Sequence, residues 1–189
     1  RNMFRALVEG TRQQWLDTLS GPAEDLRLAG AMYDFTAAGL AFKREFIAAY
    51  GQAAWQRFQS EAPADTPKGG NARFNLPESD VLDKIEQARV ILDGNRARLL
   101  AAESPPMVVV RVDGHWRTST ASLAGTSPDR AQLARTMSDM AACIETYRKA
   151  IGADGIEPED IDCELGRAMM EKMMGMSTDE PHRFDIDKL

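Results

Sequence analysis

The sequence predicts an α+β fold, with helices at both ends of the chain and an antiparallel sheet between them. Apolar residues recur every three or four positions before residue 60 and after residue 128, which is the spacing of a helix face. Between residues 85 and 121 they alternate with polar residues, as in a strand with one buried face. We therefore expect N-terminal helices, a four-stranded antiparallel meander and two C-terminal helices. They are expected to form a single domain over residues 1–176, followed by a polar tail over residues 177–189.

The N-terminal part predicts two main helices. The first runs from Met3 to Leu19, with Gly10 as a kink or a joint. The second begins at Pro22, because a first-turn proline has no amide hydrogen to lose and the acids that follow it suit the positive end of the helix dipole. It ends at Gly51, and a short amphipathic stretch around Trp55 follows.

The middle of the chain predicts two hairpins after a long, proline-rich surface loop over residues 62–77. The first hairpin turns at Asp93-Gly94-Asn95 and the second at Asp113-Gly114. If Asp113 and Gly114 are the two central turn residues, Trp116 lies opposite Arg111. A bulged three-residue turn would give Trp116 other partners.

The C-terminal part predicts two helices that pack as an antiparallel hairpin. Ser127-Pro128 provides a cap and a first-turn proline, and Gly152 ends the first of these helices. The second begins at Pro158 and stops near Gly175, and the short connection favours an antiparallel arrangement. The apolar stripe of the first consists of Leu133, Met137, Met140, Ile144, Tyr147 and Ile151.

Five methionines near the end of the last helix form the most unusual stretch of the chain: Met169, Met170, Met173, Met174 and Met176. Met169 and Met173 continue the apolar stripe of that helix, which favours a role in core packing. The alternatives are an adaptable surface for a partner helix and a thioether site for Cu(I). Exposure of Met170 and Met174 would favour a protein partner.

The net charge of −6 is unevenly distributed. Eleven acidic and four basic residues lie between Asp154 and Leu189, so the remaining residues carry a net charge of +1. A near-neutral body without a run of Lys and Arg provides little counterion release, and an acidic end is repelled by anionic lipid. We expect neither a nucleic-acid nor a membrane partner, and no apolar run has the roughly 20 residues that span a bilayer.

The compartment depends on what precedes Arg1, the first residue of the sequence. We expect an exported protein, periplasmic or secreted, and the residues leave a cytoplasmic location open. Cys143 and Cys163 lie on consecutive predicted helices. They form either a disulfide or two ordinary thiols, and their spacing favours neither.

Two segments resemble the nuclear transport factor 2-like superfamily of cone-shaped α+β proteins. FRALVEGTRQQWL is similar to the first helix of that family, and RVILDGNRARLLAAESPPMVVVRVDGHWRTSTASL is similar to the hairpins of its curved sheet. The resemblance covers about a quarter of the chain and implies an apolar pocket that serves binding, dehydration or isomerisation, or dimerisation. Helices after the last strand depart from the family pattern, in which a strand commonly closes the sheet.

Motifs for catalysis, metal or cofactor binding are absent from the sequence. It contains no phosphate-binding glycine loop, no dinucleotide fingerprint and no nucleophile elbow. His115 lies beside a predicted turn and His182 in the tail, and neither has the spacing of a zinc ligand. The acids of residues 154–164 suit a helix N-terminus better than a calcium loop. We predict no catalytic residue, no metal and no cofactor.

A binding pocket is predicted from aromatic residues and one arginine: Tyr33, Phe42, Arg44, Trp55 and Trp116. Phe35 is a further candidate for its wall, and Arg111 or Arg117 could replace Arg44 as the handle for an anionic ligand. The alternative is a packed core with arginines that extend to solvent. The sequence therefore favours a non-catalytic module that binds a small molecule or a protein, with homodimerisation open. The alternative function is a small isomerase or dehydratase.

Overall fold

A computed structural model describes residues 10–60, 88–100, 106–122, 129–174 and 182–189 of the chain. The fold is α+β, as predicted. Its helices are α1 (Arg12–Asp17), α2 (Ala23–Ser60), α3 (Arg130–Arg148) and α4 (Pro158–Met174), and its strands are β1 (Leu19–Ser20), β2 (Arg89–Asp93), β3 (Arg96–Leu100), β4 (Met107–Val112) and β5 (His115–Ser119). Short 3₁₀ turns cover Thr120–Ser122 and Ile186–Lys188.

Several predicted features lie outside the described residues. These are the first helix before Gly10, the loop over residues 62–77, Ser127-Pro128, Gly175, Met176 and the start of the tail.

The chain divides into two compact units. The sheet unit comprises Arg1–Thr36 and Pro77–Met137, and the helical unit comprises Ala37–Leu76 and Ser138–Leu189. The backbones of α2 and α3 each contribute residues to both units. The assignment of residues 1–176 to one domain and of residues 177–189 to a tail stays a prediction.

The sheet has the strand order β1-β5-β4-β3-β2, with β1 parallel to β5 and the other pairs antiparallel. The predicted four-stranded meander is confirmed as β2 to β5, and β1 is a strand that the sequence analysis assigned to the first helix. Helix α1 stops at Asp17, and the backbone then joins the sheet, where the Thr118 N–H donates to the Thr18 carbonyl over 2.8 Å. A strand of two residues is too short for its alternation to be recognised in a sequence.

Both predicted hairpin turns are confirmed. Asp113 and Gly114 have φ values of 51° and 81°, so both central residues are left-handed and Trp116 pairs with Arg111. The bulged alternative is therefore excluded. The first hairpin closes with Asp93 opposite Arg96 around Gly94, whose φ is 57°.

The long helix α2 contains the predicted break at Gly51. Its φ of 85° and ψ of 166° are not helical, so α2 consists of two helical segments that meet at a kink. The predicted helix end at Gly51 and the amphipathic stretch after it are both confirmed. Only glycine adopts this backbone conformation without a steric cost.

The core of the sheet unit forms around Trp15 and Leu19, which are buried with Ala29 of α2. The Trp15 indole Nε1 donates to the Ala29 carbonyl oxygen over 2.9 Å, so the ring buries a large apolar area without leaving its donor unpaired. Met107 of β4 packs against this cluster. The face of the sheet that contains Met107 is therefore the one that covers the core.

The core of the helical unit is aromatic. Phe42 and Phe46 are fully buried, with ring centroids 5.6 Å apart, and the Phe46 ring lies 5.8 Å from Trp55 and 5.2 Å from Phe58. Tyr50 contacts Phe46 edge-on at 5.0 Å. Aromatic pairs at these separations add stability beyond the area that they bury.

The two C-terminal helices follow their predicted boundaries closely. Helix α3 begins at Arg130 with Asp129 as its cap, since the Asp129 carboxylate accepts from the Gln132 N–H over 2.8 Å. The cap was predicted at Ser127, two residues earlier. Helix α4 begins at Pro158 as predicted. Each helix buries part of its predicted stripe in the helical unit, namely Met140, Ile144 and Tyr147 of α3 and Ile161, Leu165 and Met169 of α4.

Candidate functional site

The sheet has two chemically different faces. Cross-strand partners point to the same face, so the register assigns Ala97, Val109 and Thr118 to the inner face with Met107. The outer face carries residues at the alternate positions: Arg89, Ile91, Asp93, Arg96, Arg98, Leu100, Val108, Val110, Val112, His115, Arg117 and Ser119. Ala97 on β3 and Thr118 on β5 are buried, whereas Arg96 and Arg98, the neighbours of Ala97 on the β3 backbone, are exposed.

Four arginines dominate the outer face: Arg89, Arg96, Arg98 and Arg117. The first three are exposed and Arg117 is half-buried. None of the four forms an ion pair with another residue in the part of the chain that the structure describes. The outer face also carries one acidic residue, Asp93, so its formal net charge is about +3 with every arginine protonated.

Half-buried valines lie between these arginines. Val110 is the cross-strand neighbour of both Arg96 and Arg117, and Val108 is the neighbour of Arg98. Arginine stems cover apolar side chains while their guanidinium groups remain in water. We call the surface of Arg89, Arg96, Arg98 and Arg117 with the β4 valines the arginine face.

A buried ion pair and hydrogen bond join α2, the residue after β5 and the start of α3 in the sheet unit. Asp25 of α2 accepts a hydrogen bond from the Thr120 hydroxyl over 2.8 Å and pairs with the Arg130 guanidinium over 2.9 Å. Asp25 and Thr120 are both buried. Because both carboxylate oxygens have partners, Asp25 ties α2 to the start of α3 within this unit, and this satisfied geometry is typical of a structural carboxylate.

A second buried carboxylate, Glu164 of α4, holds the C-terminal segment. Its Oε1 accepts from the Arg183 backbone N–H over 2.7 Å, and its Oε2 lies 2.9 Å from His182 Nδ1 and also contacts the Arg167 guanidinium. Arg183 in turn donates to Asp160 over 3.3 Å. Glu164 thus satisfies its buried charge with a cation and two further groups from residues 182–183.

One tyrosine and two cysteines of the helical unit have raised pKa values, which favour their neutral forms. Burial, together with the negative charge of Glu164, raises the pKa of the Tyr147 hydroxyl to about 12. Burial also raises the pKa values of the Cys143 and Cys163 thiols, and both thiols are free. A protonated thiol is a poor nucleophile and a poor metal ligand, so neither cysteine has the environment of a reactive one.

The predicted pocket residues are distributed over both units. Tyr33 and Trp116 belong to the sheet unit, and Phe42, Arg44 and Trp55 belong to the helical unit. The structure brings Phe42 and Trp55 together, with ring centroids 6.4 Å apart, inside the aromatic core. Arg44 is exposed. A ligand pocket lined by these five residues stays a prediction.

Two of these aromatic residues, Tyr33 and Trp116, differ in their surroundings. The Tyr33 hydroxyl donates to the Gly10 carbonyl over 2.6 Å, whereas Trp116 is 45% exposed next to the β4–β5 turn. Of the alternative arginine handles, Arg111 donates to the Gly114 carbonyl over 3.3 Å on the inner face, and Arg117 lies on the arginine face.

The methionine stretch is only partly core. Met169 is 2% exposed, as predicted, but Met173 is 58% exposed, so its assignment to the core is wrong. Met173 lies in the last turn of α4, which ends at Met174. Met170 is half-buried, and the side chains of Met174 and Met176 lie outside the described residues.

Potential metal ligands do not converge in the described part of the structure. No three side chains of His, Cys, Asp or Glu come close enough there to hold a metal ion. His115 is exposed on β5.

Three of the arginines were missed by the sequence analysis. Arg89, Arg96 and Arg98 stand at the polar positions of the alternating pattern, and that pattern was used only to find the apolar face. The register that unites them with Arg117 depends on two turns and on the pairing of β3 with β4. The alternation of arginine at residues 96 and 98 was the available indication.

The chain matches no protein-family model, no curated protein and no solved structure. Over the described residues, no helix combines the length and the apolar character needed to cross a bilayer.

Proposed function

We propose that the chain is a non-catalytic binding module whose arginine face takes an acidic segment of a partner protein. The observation that carries the proposal is the grouping of four arginines on one sheet face without ion-pair partners among the described residues. Uncompensated like charges repel one another, so a folded protein gains no electrostatic stability from grouping them. A negatively charged partner removes that repulsion and pairs with guanidinium groups that already lie side by side.

The spacing of the arginines suits an extended acidic peptide. Arg96 and Arg98 are two residues apart on β3, a separation of roughly 6.8 Å along the strand. Acidic residues at alternate positions of an extended peptide have the same period. The β4 valines between the arginines would receive the apolar residues of such a peptide.

A protein partner is favoured over single-stranded nucleic acid. Sheet surfaces that bind single strands stack bases on aromatic side chains, and the outer-face positions of β2 to β5 carry no Phe, Tyr or Trp. The overall charge of −6 also opposes a long polyanion.

The buried carboxylates support a binding role over the alternative of an isomerase or dehydratase. Asp25 and Glu164 are both engaged by neighbouring donors and cations. A general base needs a carboxylate or imidazole that can reach a substrate proton. The likeness to the nuclear transport factor 2-like superfamily and export from the cytoplasm remain parts of this proposal, and detection of a leader peptide on the full-length protein would test the latter.

The test uses a fluorescein-labelled peptide of alternating glutamate and valine, with fluorescence anisotropy as the measurement. We expect binding that weakens at high salt and falls at least tenfold in the double variant R96E/R98E. The matched control is R27E/R135E, which changes the net charge equally at two exposed arginines elsewhere in the sheet unit. Equal losses in both variants would indicate nonspecific attraction and overturn the proposal. Tighter binding of an oligothymidylate of similar length would replace the protein partner with a nucleic acid.

A further inference from the structure

Strand β2 forms one edge of the sheet, and its apolar side chains are unusually exposed. Val90 and Leu92 lie on the inner face, as their partners Leu99 and Ala97 show, yet they are 55% and 69% exposed. No described strand pairs with the other side of β2. An edge strand with free backbone groups and exposed apolar side chains is a template for pairing with another strand.

The first hairpin determines which backbone groups of β2 face outward. A two-residue turn makes its flanking pair, Asp93 and Arg96, a hydrogen-bonded pair. Hydrogen-bonded pairs alternate along an antiparallel ladder, so Ile91 also bonds to β3. The N–H and C=O groups of Val90 and Leu92 therefore point away from the sheet, toward a strand that would add at this edge.

We propose that the occupant of this edge is β2 of a second copy of the chain, antiparallel and related by a two-fold axis through Ile91. In this arrangement Arg89 of each copy lies opposite Asp93 of the other, so the interface contains two such pairs. Val90 lies opposite Leu92, also twice, and these pairs form four backbone hydrogen bonds between the copies. The sheet then continues across the axis, and the exposed apolar side chains of the two edges cover one another.

The sequence of β2, Arg-Val-Ile-Leu-Asp, is self-complementary only in this register. A shift that moves the axis to Val90 or to Leu92 keeps the outward hydrogen-bonding groups in phase, but it removes both pairs of Arg89 with Asp93. A shift of one residue in the pairing places outward groups opposite inward ones and breaks the ladder. Charge complementarity and hydrogen-bond phase thus select the same partner and the same axis.

Charge-reversal variants of the full chain test this arrangement by sedimentation velocity. R89D alone places acids opposite acids at both pairs, and D93R alone places arginines opposite arginines. We expect each variant to dimerise about tenfold more weakly than the unaltered chain. An equimolar mixture of the two should form a heterodimer with an affinity close to that of the unaltered dimer, because every altered pair is then of opposite charge.

Further variants test whether dimerisation depends on the β2 edge itself, and not on loss of folding or on the arginine face. The N–H that V90P removes points outward, so we expect this variant to be folded by circular dichroism and monomeric by sedimentation velocity, whereas V90T keeps the donor and the dimer. Arg117 lies on β5, away from the β2 edge, so R117E should leave dimerisation unchanged while it weakens peptide binding, which distinguishes this proposal from peptide binding. An unaltered chain that stays monomeric at several hundred micromolar, or a dimer indifferent to R89D and D93R, would overturn the proposal. Failure of the mixture to restore association would overturn the axis through Ile91.

Discussion

Met169 and Met173 provide a test of burial within one helix. They are the same residue type, one turn apart on α4, and are 2% and 58% exposed. Substitution of methionine by alanine changes helix propensity only slightly, so the difference between the two variants mainly reports packing. Full burial of a methionine contributes roughly 1.5–3 kcal/mol in transfer free energy, and the cavity left by its removal adds to the loss.

We expect M169A to lower the free energy of unfolding by about 3 kcal/mol and M173A by about 0.5 kcal/mol or less. The double variant should then resemble M169A. Urea denaturation followed by circular dichroism measures all three, with the unaltered chain as reference. Equal losses from the two single variants would refute the reasoning, because exposure would then not govern the contribution of these side chains. A loss under about 1 kcal/mol for M169A would show that α4 is not held by its apolar stripe.

Three other predictions concern the two cores and the buried hydroxyl. F46A should cost about 3–5 kcal/mol in chemical denaturation, because the fully buried Phe46 ring contacts four other aromatic rings, and a loss under about 1 kcal/mol would contradict the aromatic core. D25N should cost about 2–4 kcal/mol by thermal or urea unfolding, since it weakens the bond from Thr120 and removes the buried charge that pairs with the Arg130 guanidinium. The raised pKa of Tyr147, about 12 against about 10 in the unfolded chain, means that the folded state keeps a proton that the unfolded state releases. Its stabilising contribution is complete below pH 10 and is lost as the pH rises from about 10 to about 12, by up to ~2 kcal/mol, so Y147F should show a shallower loss of stability over that interval.

The sequence predicted most elements of the fold because their local chemistry is strong. Gly51, Asp113-Gly114 and Pro158 each impose a backbone conformation that few other residues allow, and the helix end, the turn and the helix start appear where they were expected. The cap at Asp129 was missed because Ser127-Pro128 offers an equally good local pattern two residues earlier. Tertiary packing determines which of the two candidate residues caps the helix, and the spacing of apolar residues contains no information about that packing.

The candidate site was less predictable because it depends on register. The aromatic residues predicted to line a pocket were chosen because they are large and apolar. Residues of a packed core share those properties, and Phe42 and Trp55 contact each other in the core. The arginine face requires β3 to pair with β4 so that Arg96 lies beside Val110, and no periodicity within one strand contains that information. Burial of Glu164 likewise depends on residues 182–183, which are 18 and more positions away.

Substitutions in the arginine face should change peptide affinity without changing the free energy of unfolding. This difference gives an independent test of the proposed function. Arg96 and Arg98 are exposed and make no ion pair with a described residue, so the fold gains little from their charges. R96E/R98E should therefore change the free energy of unfolding by no more than about 0.5 kcal/mol, while it abolishes most peptide binding. The contrast is D25N, which removes a paired charge and should destabilise the fold. A loss above about 1 kcal/mol in R96E/R98E, measured by urea denaturation, would show that the stems of these arginines pack on the sheet as structural side chains. Cover for the β4 valines would then explain why these arginines are grouped, and no acidic partner would be needed to explain it.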